Sequence, residues 1–409
     1  MTSAIPVESV RYVKELYPRL NHDEAAIERY RDILDRTPPI YVARGGILVD
    51  GYHRWQAHKR EDLAMIPAVD LGDLSDAEIM AESIRRNNAH GVPMTKADKA
   101  ALAKKLYKSL DPATAVDDLA DMLSASERSV QRWTQEQRAA SEIELRARAY
   151  DLWLDCLTQQ QIADRLRQPQ RTISNWLSQS RQVAETANEP PAQRQDFDIW
   201  KLGGDDDSAY FGRLPAGLVD NLLWLYTEPG QTVVDPFAGR GTTIKAAKRT
   251  GRRAWASDRR GDFWDKTLPI HEHDITTGWP QEAPAKADLV ILDPPYWQQA
   301  QGRYSEDAAD LGNQSLDEFY KSWTAVVKAV LEHTERIAYI ISPTELREEN
   351  RVIDHATDML VPFMENGWRV ERRIIVPYST QQATGQQVTW ARENKRLLKL
   401  YRDLVVMTR

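Results

Sequence analysis

The feature that most restricts this chain is a pair of short apolar runs, each ending in an acidic residue and a break. Thr232-Val233-Val234-Asp235 runs into Pro236-Phe237-Ala238-Gly239-Arg240-Gly241-Thr242-Thr243, and Leu289-Val290-Ile291-Leu292 runs into Asp293-Pro294-Pro295-Tyr296-Trp297. Continuous aliphatic runs of this length suit strands buried on both faces, as in parallel sheets covered by helices. A Gly-x-Gly turn between strand and helix lets the backbone approach a ligand. The turn is not a phosphate-binding P-loop, because the Gly-Lys-Ser/Thr end is missing. It is not a dinucleotide fingerprint either, because Ile244 stands where the third glycine belongs. A further run, Arg252 to Asp258, ends in an acid suited to accept hydrogen bonds from a ribose diol. Asp274, in His271-Glu272-His273-Asp274, is read as ending a third strand and facing an adenine amino group.

The second break carries its own chemistry. Pro294 and Pro295 remove two backbone donors and stiffen the turn. What remains is acceptor-rich, the Asp293 carboxylate and the Pro294 carbonyl, with the Tyr296 ring beside them. Two acceptors and a stacking surface suit an extruded base bearing an exocyclic amine. The alternative is a chance surface turn, and its place after an apolar strand argues against that. The only thiol is Cys156, far from either motif and read as core. Attack on a pyrimidine carbon needs a nucleophilic thiolate, so an exocyclic amine is the expected target.

Together these residues resemble the S-adenosylmethionine-dependent DNA amino-methyltransferases over about residues 196–409. The resemblance implies an α/β, Rossmann-like domain with a mostly parallel seven-stranded sheet and helices on both faces. It implies S-adenosylmethionine as cofactor, with Asp235, Phe237, Gly239, Gly241 and Thr242 around its methionine end and Asp258 on its ribose. Asp274 is the candidate at its adenine, and Phe211, in Phe211-Gly212-Arg213-Leu214-Pro215, lies beside its carboxylate. Asp293, Pro294, Pro295 and Tyr296 become the catalytic loop. The family's β-class order is reversed here, as in a circular rearrangement. Adenine N6 is the preferred target and cytosine N4 the alternative.

The first half is different. Leu119-Ala120-Asp121-Met122-Leu123 with Ser126 to Trp133 recurs 43 residues later, 120 to 163, as Ile162-Ala163-Asp164-Arg165-Leu166 with Pro169 to Trp176. Each copy reads as a helix-turn-helix whose second helix buries Val130 and Trp133, or Ile173 and Trp176. Arg128, Gln131 and Arg132, and Arg171, Ser174 and Asn175, are then the candidate DNA contacts. Gln381 to Gln387 and Arg303-Tyr304 are polar loop candidates for the same role. Upstream, strands at 39–43 and 47–51 form a hairpin that feeds a helix from Tyr52 to Arg60, and a third strand follows at 66–70. The order of Ile47-Leu48-Val49-Asp50, Gly51-x-x-Arg54-x-x-Ala57 and a helix-turn-helix resembles the N-terminal domain of ParB-type partition proteins over about residues 4–135. That resemblance implies a small α+β domain able to take a nucleoside triphosphate, with Gly51, Arg54, Arg85 and Arg86 as its candidate site. The alternative is that these arginines pair with carboxylates. A sulfur-reducing relative would need a Cys where Tyr52 stands.

Length and charge fit this division. The 409 residues suit two to three domains at about 150 residues each. The expected pieces are a ParB-like domain at 1–95, helix-turn-helix units at 96–183, a polar Pro-Pro linker at 184–195 and the methyltransferase at 196–409. One cysteine excludes a disulfide framework and a zinc knuckle, and no metal is called for. The net charge of −7 confines any DNA affinity to local patches. No run is apolar enough for a membrane span, and the N-terminus lacks a secretory pattern. The expected setting is therefore the cytoplasm, at the nucleoid, with double-stranded DNA as partner. A homodimer and a restriction partner are left open. The competing reading is a non-enzymatic ParB-like DNA-binding regulator with an inert methyltransferase half.

Overall fold

The computed structural model describes residues 2–19, 22–89, 94–110, 114–186, 188–202, 214–261, 264–298, 307–346, 349, 351–378 and 384–409. Its contacts divide the chain into two units, Met1–Leu145 and Arg146–Arg409.

The first unit holds β1 (Thr2–Pro6), β2 (Ile40–Ala43), β3 (Ile47–Asp50) and β4 (Met65–Asp70), in the order β1-β4-β2-β3. β2 and β3 form the expected hairpin, while β4 runs parallel to β2. Alternate residues Ile40, Val42, Leu48, Ile66 and Ala68 meet Trp55 in one core. The helix Tyr52–Arg60 starts at Gly51, whose φ of +105° is open only to glycine at low cost, and a Cβ there would sit 2.6 Å from Ile40 Cγ2. Leu119, Leu123 and Val130 of the first helix-turn-helix join a second core with Ile79, Ile84 and Leu102.

The 43-residue repeat is visible as geometry. Helices Ala115–Leu123 and Glu127–Trp133 match Gln159–Leu166 and Gln170–Thr186. Both turns open on a left-handed residue, Ser124 at φ +46° and Arg167 at φ +51°. In both, the next N–H reaches back to the equivalent alanine carbonyl, Ala125 to Ala120 at 2.9 Å and Gln168 to Ala163 at 3.0 Å. This is the same left-handed helix stop used twice.

The two copies belong to different units. Trp153, at the end of the helix leading to the second copy, accepts a hydrogen bond on its carbonyl from Arg253 Nε at 3.2 Å, and Asp155 pairs with Lys248 at 2.6 Å. The segment expected as a linker is also tied down. Asn188 accepts from the buried Arg252 at 2.9 Å, while Gln193 and Gln195 exchange hydrogen bonds with Asn221. Polar composition suggests a tether, but the Asn188 side chain and the backbone of Gln193 and Gln195 supply partners that buried Arg252 and Asn221 require.

The second unit is built on a seven-stranded sheet. Its strands are β5 (Thr232–Asp235), β6 (Arg253–Asp258), β7 (Ile270–Glu272), β8 (Leu289–Leu292), β9 (Arg336–Ile341), β12 (Arg369–Pro377) and β13 (Tyr401–Thr408); a separate hairpin joins β10 (Thr344–Leu346) and β11 (Arg351–Ile353). The order is β12-β13-β9-β8-β5-β6-β7, parallel except where antiparallel β13 lies between β9 and β12. Val290 and Leu292 of β8 face one core, with Trp323 and Val326 of helix Leu316–Val330. Leu289 and Ile291 face the other, with Leu222 of helix Ala216–Tyr226 and Ala247 of helix Thr242–Arg249. Burial on both faces accounts for the unbroken apolar runs.

Candidate active site

Parallel β5 and β8 are neighbours, and the chain leaves them in opposite directions across the sheet: β6 and β7 lie beyond β5, β9 beyond β8. A crevice forms outside the strand ends at such a reversal. Asp235 closes β5 and Asp293 follows β8, so this topology brings the two motifs to one place.

Asp235 is buried and organises the loop after it. Its carboxylate accepts from Phe237 N at 3.0 Å and from Thr243 Oγ1 at 2.5 Å. Burial pushes its carboxyl up to about 7, with nearby Asp258 adding to the effect. Both oxygens are therefore engaged in shaping the turn. Thr243 was not anticipated; a hydroxyl one turn into a helix after a strand-end acid is the signal that could have found it.

The Gly-x-Gly turn is held from the next strand. Gly239 N donates to Asp258 Oδ2 at 2.9 Å and Arg260 N donates to Asp258 Oδ1 at 3.1 Å. Gly239 adopts φ +51° with open space where a Cβ would stand, and Gly241 adopts φ +77° with Leu268 Cδ1 2.4 Å from a Cβ position. Thr242 begins the helix, half-buried, and Phe237 packs against the core. This cradle, open above Gly239 and bordered by a half-buried carboxylate, fits a ligand carrying a diol. Burial raises the Asp258 carboxyl, and the two backbone N–H groups oppose that rise.

Asp274 differs from expectation. β7 stops at Glu272, and Asp274 caps the turn beyond it, accepting from Thr276 N at 2.9 Å and Oγ1 at 2.7 Å. Its other oxygen meets Arg259 Nε at 3.3 Å. An Asp followed two residues later by Thr is a capping pattern, and that local hydrogen bonding ended the strand early. Phe211 lies outside the described residues, as do Arg303, Tyr304 and residues 381–383. Of the remaining polar loop candidates, Gly385 to Gln387 instead open a helix, Gly385–Glu393, through a Thr384–Gln387 capping box.

At the Asp-Pro-Pro-Tyr loop, Asp293 Oδ1 is buried and has no hydrogen-bond partner. Burial pushes the carboxyl up to about 7; Arg402 opposes the shift, Asp235 reinforces it, and the Tyr296 hydroxyl donates to the carboxylate. Tyr296 also accepts from Arg402 and shares a hydrogen bond with Tyr378, which in turn bonds to Ser342. The Tyr296 hydroxyl is thus drawn into a polar network rather than left free. Pro294 is buried and Pro295 half-buried. Behind the loop, Trp297 Nε1 donates to Gln314 O at 2.9 Å, and Thr344 Oγ1 donates to Trp297 O at 3.2 Å. Arg402, Tyr378 and Ser342 were missed. The available signal was Arg402-Asp403 at the head of an apolar strand, since charge inside a buried strand needs a reason. Cys156 is half-buried and burial raises its thiol to about 11, a poor setting for a thiolate.

The candidate DNA-contact residues are displayed on the second helices. Arg128, Gln131 and Arg132 are exposed on Glu127–Trp133, and Arg171 and Asn175 are exposed on Gln170–Thr186, with Ser174 half-buried. Val130, Ile173 and Trp176 are buried as expected, while Trp133 is half-buried. In the first unit, Arg54 is engaged by Asp50 at 2.7 Å and by the carbonyls of Pro38 and Pro39 at 3.0 and 2.7 Å. Arg85 and Arg86 both pair with Glu82, at 2.6 Å each, and Arg86 lies 3.5 Å above the Tyr41 ring. These partners match the structural alternative for the arginines.

The sheet order and strand-end acids define an α/β, Rossmann-like fold. Residues 108–264 match the model of the DNA methylase family whose name carries the N6 and N4 positions. The match includes the second helix-turn-helix, the Gly-x-Gly turn and Asp258, and stops before Asp293. Among solved structures, the chain is similar to the chromosome-partitioning protein ParB from Caulobacter crescentus, solved with CTP-gamma-S (19% identity, 33% of this chain and 77% of that one, TM-score 0.20). It is also similar to the magnesium protoporphyrin IX methyltransferase of Synechocystis with bound SAM (14% identity, 47% and 79%, TM-score 0.30). A SAM-dependent methyltransferase from Archaeoglobus fulgidus has 11% identity over 48% and 95%, with a TM-score of 0.30.

Proposed function

We propose that this protein transfers a methyl group from S-adenosylmethionine to the exocyclic amine of a base in duplex DNA, adenine N6 in preference to cytosine N4. The observation that carries the reading is Asp293: a buried carboxylate with one oxygen lacking a partner, followed by a proline-locked turn, across the strand reversal from the Gly-x-Gly loop. The DNA methylase match over residues 108–264 supports the substrate class.

In this reading Gly239, Gly241, Thr242 and Phe237 border the methionine end of the cofactor, and Asp235 holds their loop in shape. Asp258 accepts from the ribose hydroxyls, and Asp274 is the candidate at the adenine. When bound, the cofactor supplies an electrophilic methyl group on a sulfonium. The protein's task is to make a poor nucleophile adequate. An aromatic amine shares its lone pair with the ring; Asp293 and the Pro294 carbonyl accept its two N–H bonds and localise that pair. Tyr296 stacks on the extruded base, and positioning contributes much of the acceleration. The exposed Arg128, Gln131, Arg132, Arg171 and Asn175, with Ser174, contact the duplex. The ParB-like unit is the candidate site for a nucleoside triphosphate, with Arg85, 64% exposed, the most accessible of the three candidate arginines. Among the described residues no helix is long and apolar enough to cross a membrane, and we place the protein at the nucleoid.

The test uses labelled cofactor and plasmid DNA, digested to nucleosides. Label in N6-methyladenine is expected; label in N4-methylcytosine replaces the target, and no label in either favours the DNA-binding regulator. The reading also sets a pH profile. Asp293 accepts only when ionised, and its carboxyl lies at about 7. Methyl transfer should rise about tenfold per unit below that pH and level off above it, with an apparent midpoint shared between Asp293 and Asp235. A rate flat from pH 6 to 8.5 would contradict it.

The packing of the second repeat sets where the chain can be cut. A chain beginning at Arg146 should keep cofactor binding and, with only the second helix-turn-helix left, select DNA sites less sharply. One beginning at Asp196 should melt at a lower temperature, because Arg252 and Asn221 lose Asn188, Gln193 and Gln195 as partners. Equal melting temperatures for the two chains would refute the second statement.

A further inference from the structure

Arg402 is the second residue of β13, 8% exposed and followed by the buried run Asp403-Leu404-Val405-Val406-Met407. β13 runs antiparallel to β9, so its first residues lie at the edge where the parallel strands end. The guanidinium donates to the Tyr296 hydroxyl and lies 4.9 Å from the centre of the Tyr378 ring, and Asp293 and Tyr378 both act on its charge. Arg402 Nε is buried without a hydrogen-bond partner. Among the described residues no carboxylate stands within ion-pair distance of Arg402, whereas Arg373, with which it shares this end of the sheet, is paired to Asp403 at 2.9 Å and to Asp354 at 3.2 Å. A buried cation kept only for stability would be paired, because an unpaired one is costly. This one is offered instead to the catalytic loop.

We propose that Arg402 is a positioning residue of the amine-transfer site, which keeps the Asp293 carboxylate in its proton-accepting form and anchors the Tyr296 ring through its hydroxyl. The proposal rests on the amine-transfer reading above. The groups facing Asp293 are few and of opposing effect. Asp235 at the end of β5 disfavours its charge, as does Tyr378 at the end of β12 if that phenol ionises; Tyr296 of its own loop donates to it; Arg402 of β13 is the one cation acting on it. Removing Arg402 leaves burial and Asp235 opposed only by the Tyr296 hydrogen bond. The same guanidinium fork serves Tyr296, which a lysine's single ammonium does less well.

The experiment follows the Asp293 carboxyl directly, in full-length protein carrying carbon-13-labelled aspartate carboxyls, with the signal assigned by its absence in D293N. R402Q is expected to raise the Asp293 midpoint by about one to two pH units, and R402K to keep it within about half a unit. Methyl transfer at pH 7 should fall about 5- to 50-fold in R402Q, with recovery as pH rises and KM for the cofactor unchanged. An Asp293 midpoint unmoved in R402Q, or a loss of transfer equal at every pH, overturns the proposal. If R402Q does not fold, R402K decides: a midpoint or rate profile displaced upward by a full unit despite the retained charge overturns it. A shifted midpoint in a protein that methylates no base would leave the Arg402–Asp293 coupling standing and sink the amine-transfer reading instead.

Discussion

Asp293→Ala should lower methyl transfer to DNA about a thousandfold or more while leaving S-adenosylmethionine binding within about twofold of wild type. The asymmetry follows from geometry. The Gly-x-Gly loop, the proposed cofactor site, is held by Asp235, Thr243 and Asp258, none of which relies on Asp293 for a hydrogen bond. Asp293 contributes an acceptor whose Oδ1 has no partner within the protein. Its loss leaves the amine with one acceptor, the Pro294 carbonyl, and a lone pair still shared with the ring. Single-turnover transfer of labelled methyl, paired with a calorimetric titration of the cofactor, separates the two effects. Wild-type-like transfer by the Ala variant would remove Asp293 from the chemistry, and an equal loss of cofactor affinity would make it part of the cradle instead.

The converse is expected at the neighbouring strand end. Asp258→Ala should weaken cofactor binding about 10- to 100-fold, the range for losing a charged hydrogen-bond acceptor. The carboxylate has two duties. It accepts from Gly239 N and Arg260 N, which fixes the turn, and its remaining lone pairs are available to a diol. Asp258→Asn keeps one acceptor oxygen and can retain one of the two backbone anchors, so its loss should be intermediate. At saturating cofactor both variants should recover most of the wild-type rate, because the base-facing loop does not depend on them. Titration calorimetry of the three proteins orders them, and an Asn variant as poor as the Ala one would show that negative charge, rather than the turn, dominates.

Several of these features are legible in the chain. Short apolar runs ending in Asp235 and Asp293 show the strands because central parallel strands are apolar on both faces. The repeated Ala-Asp-x-Leu pattern shows two helix-turn-helix copies because a left-handed helix stop depends on local sequence. The local signals failed where long-range contacts decide. Nothing near Thr243 announces that its hydroxyl reaches Asp235, though the spacing hints at it. The Pro-Pro segment before Gln195 has a linker's composition, yet Asn188 and Gln193 complete the hydrogen bonding of Arg252 and Asn221. Asp274 was placed at a strand end, and the short-range pull of Thr276 made it a cap.

The strands that end at Asp235 and lead to Asp293, the two helix-turn-helix copies and the residue types suited to an amine are legible locally, because each depends on neighbours within a few positions. Only the tertiary structure decided that β5 and β8 lie side by side, and that β13 returns antiparallel to deliver Arg402, more than a hundred residues away in the chain, to the Asp293 loop. The physical reason is the sheet. Strand order and direction are set by which faces bury together and which backbone groups pair. Those choices, made across the whole second unit, bring an acid, two tyrosines and a buried cation to one edge.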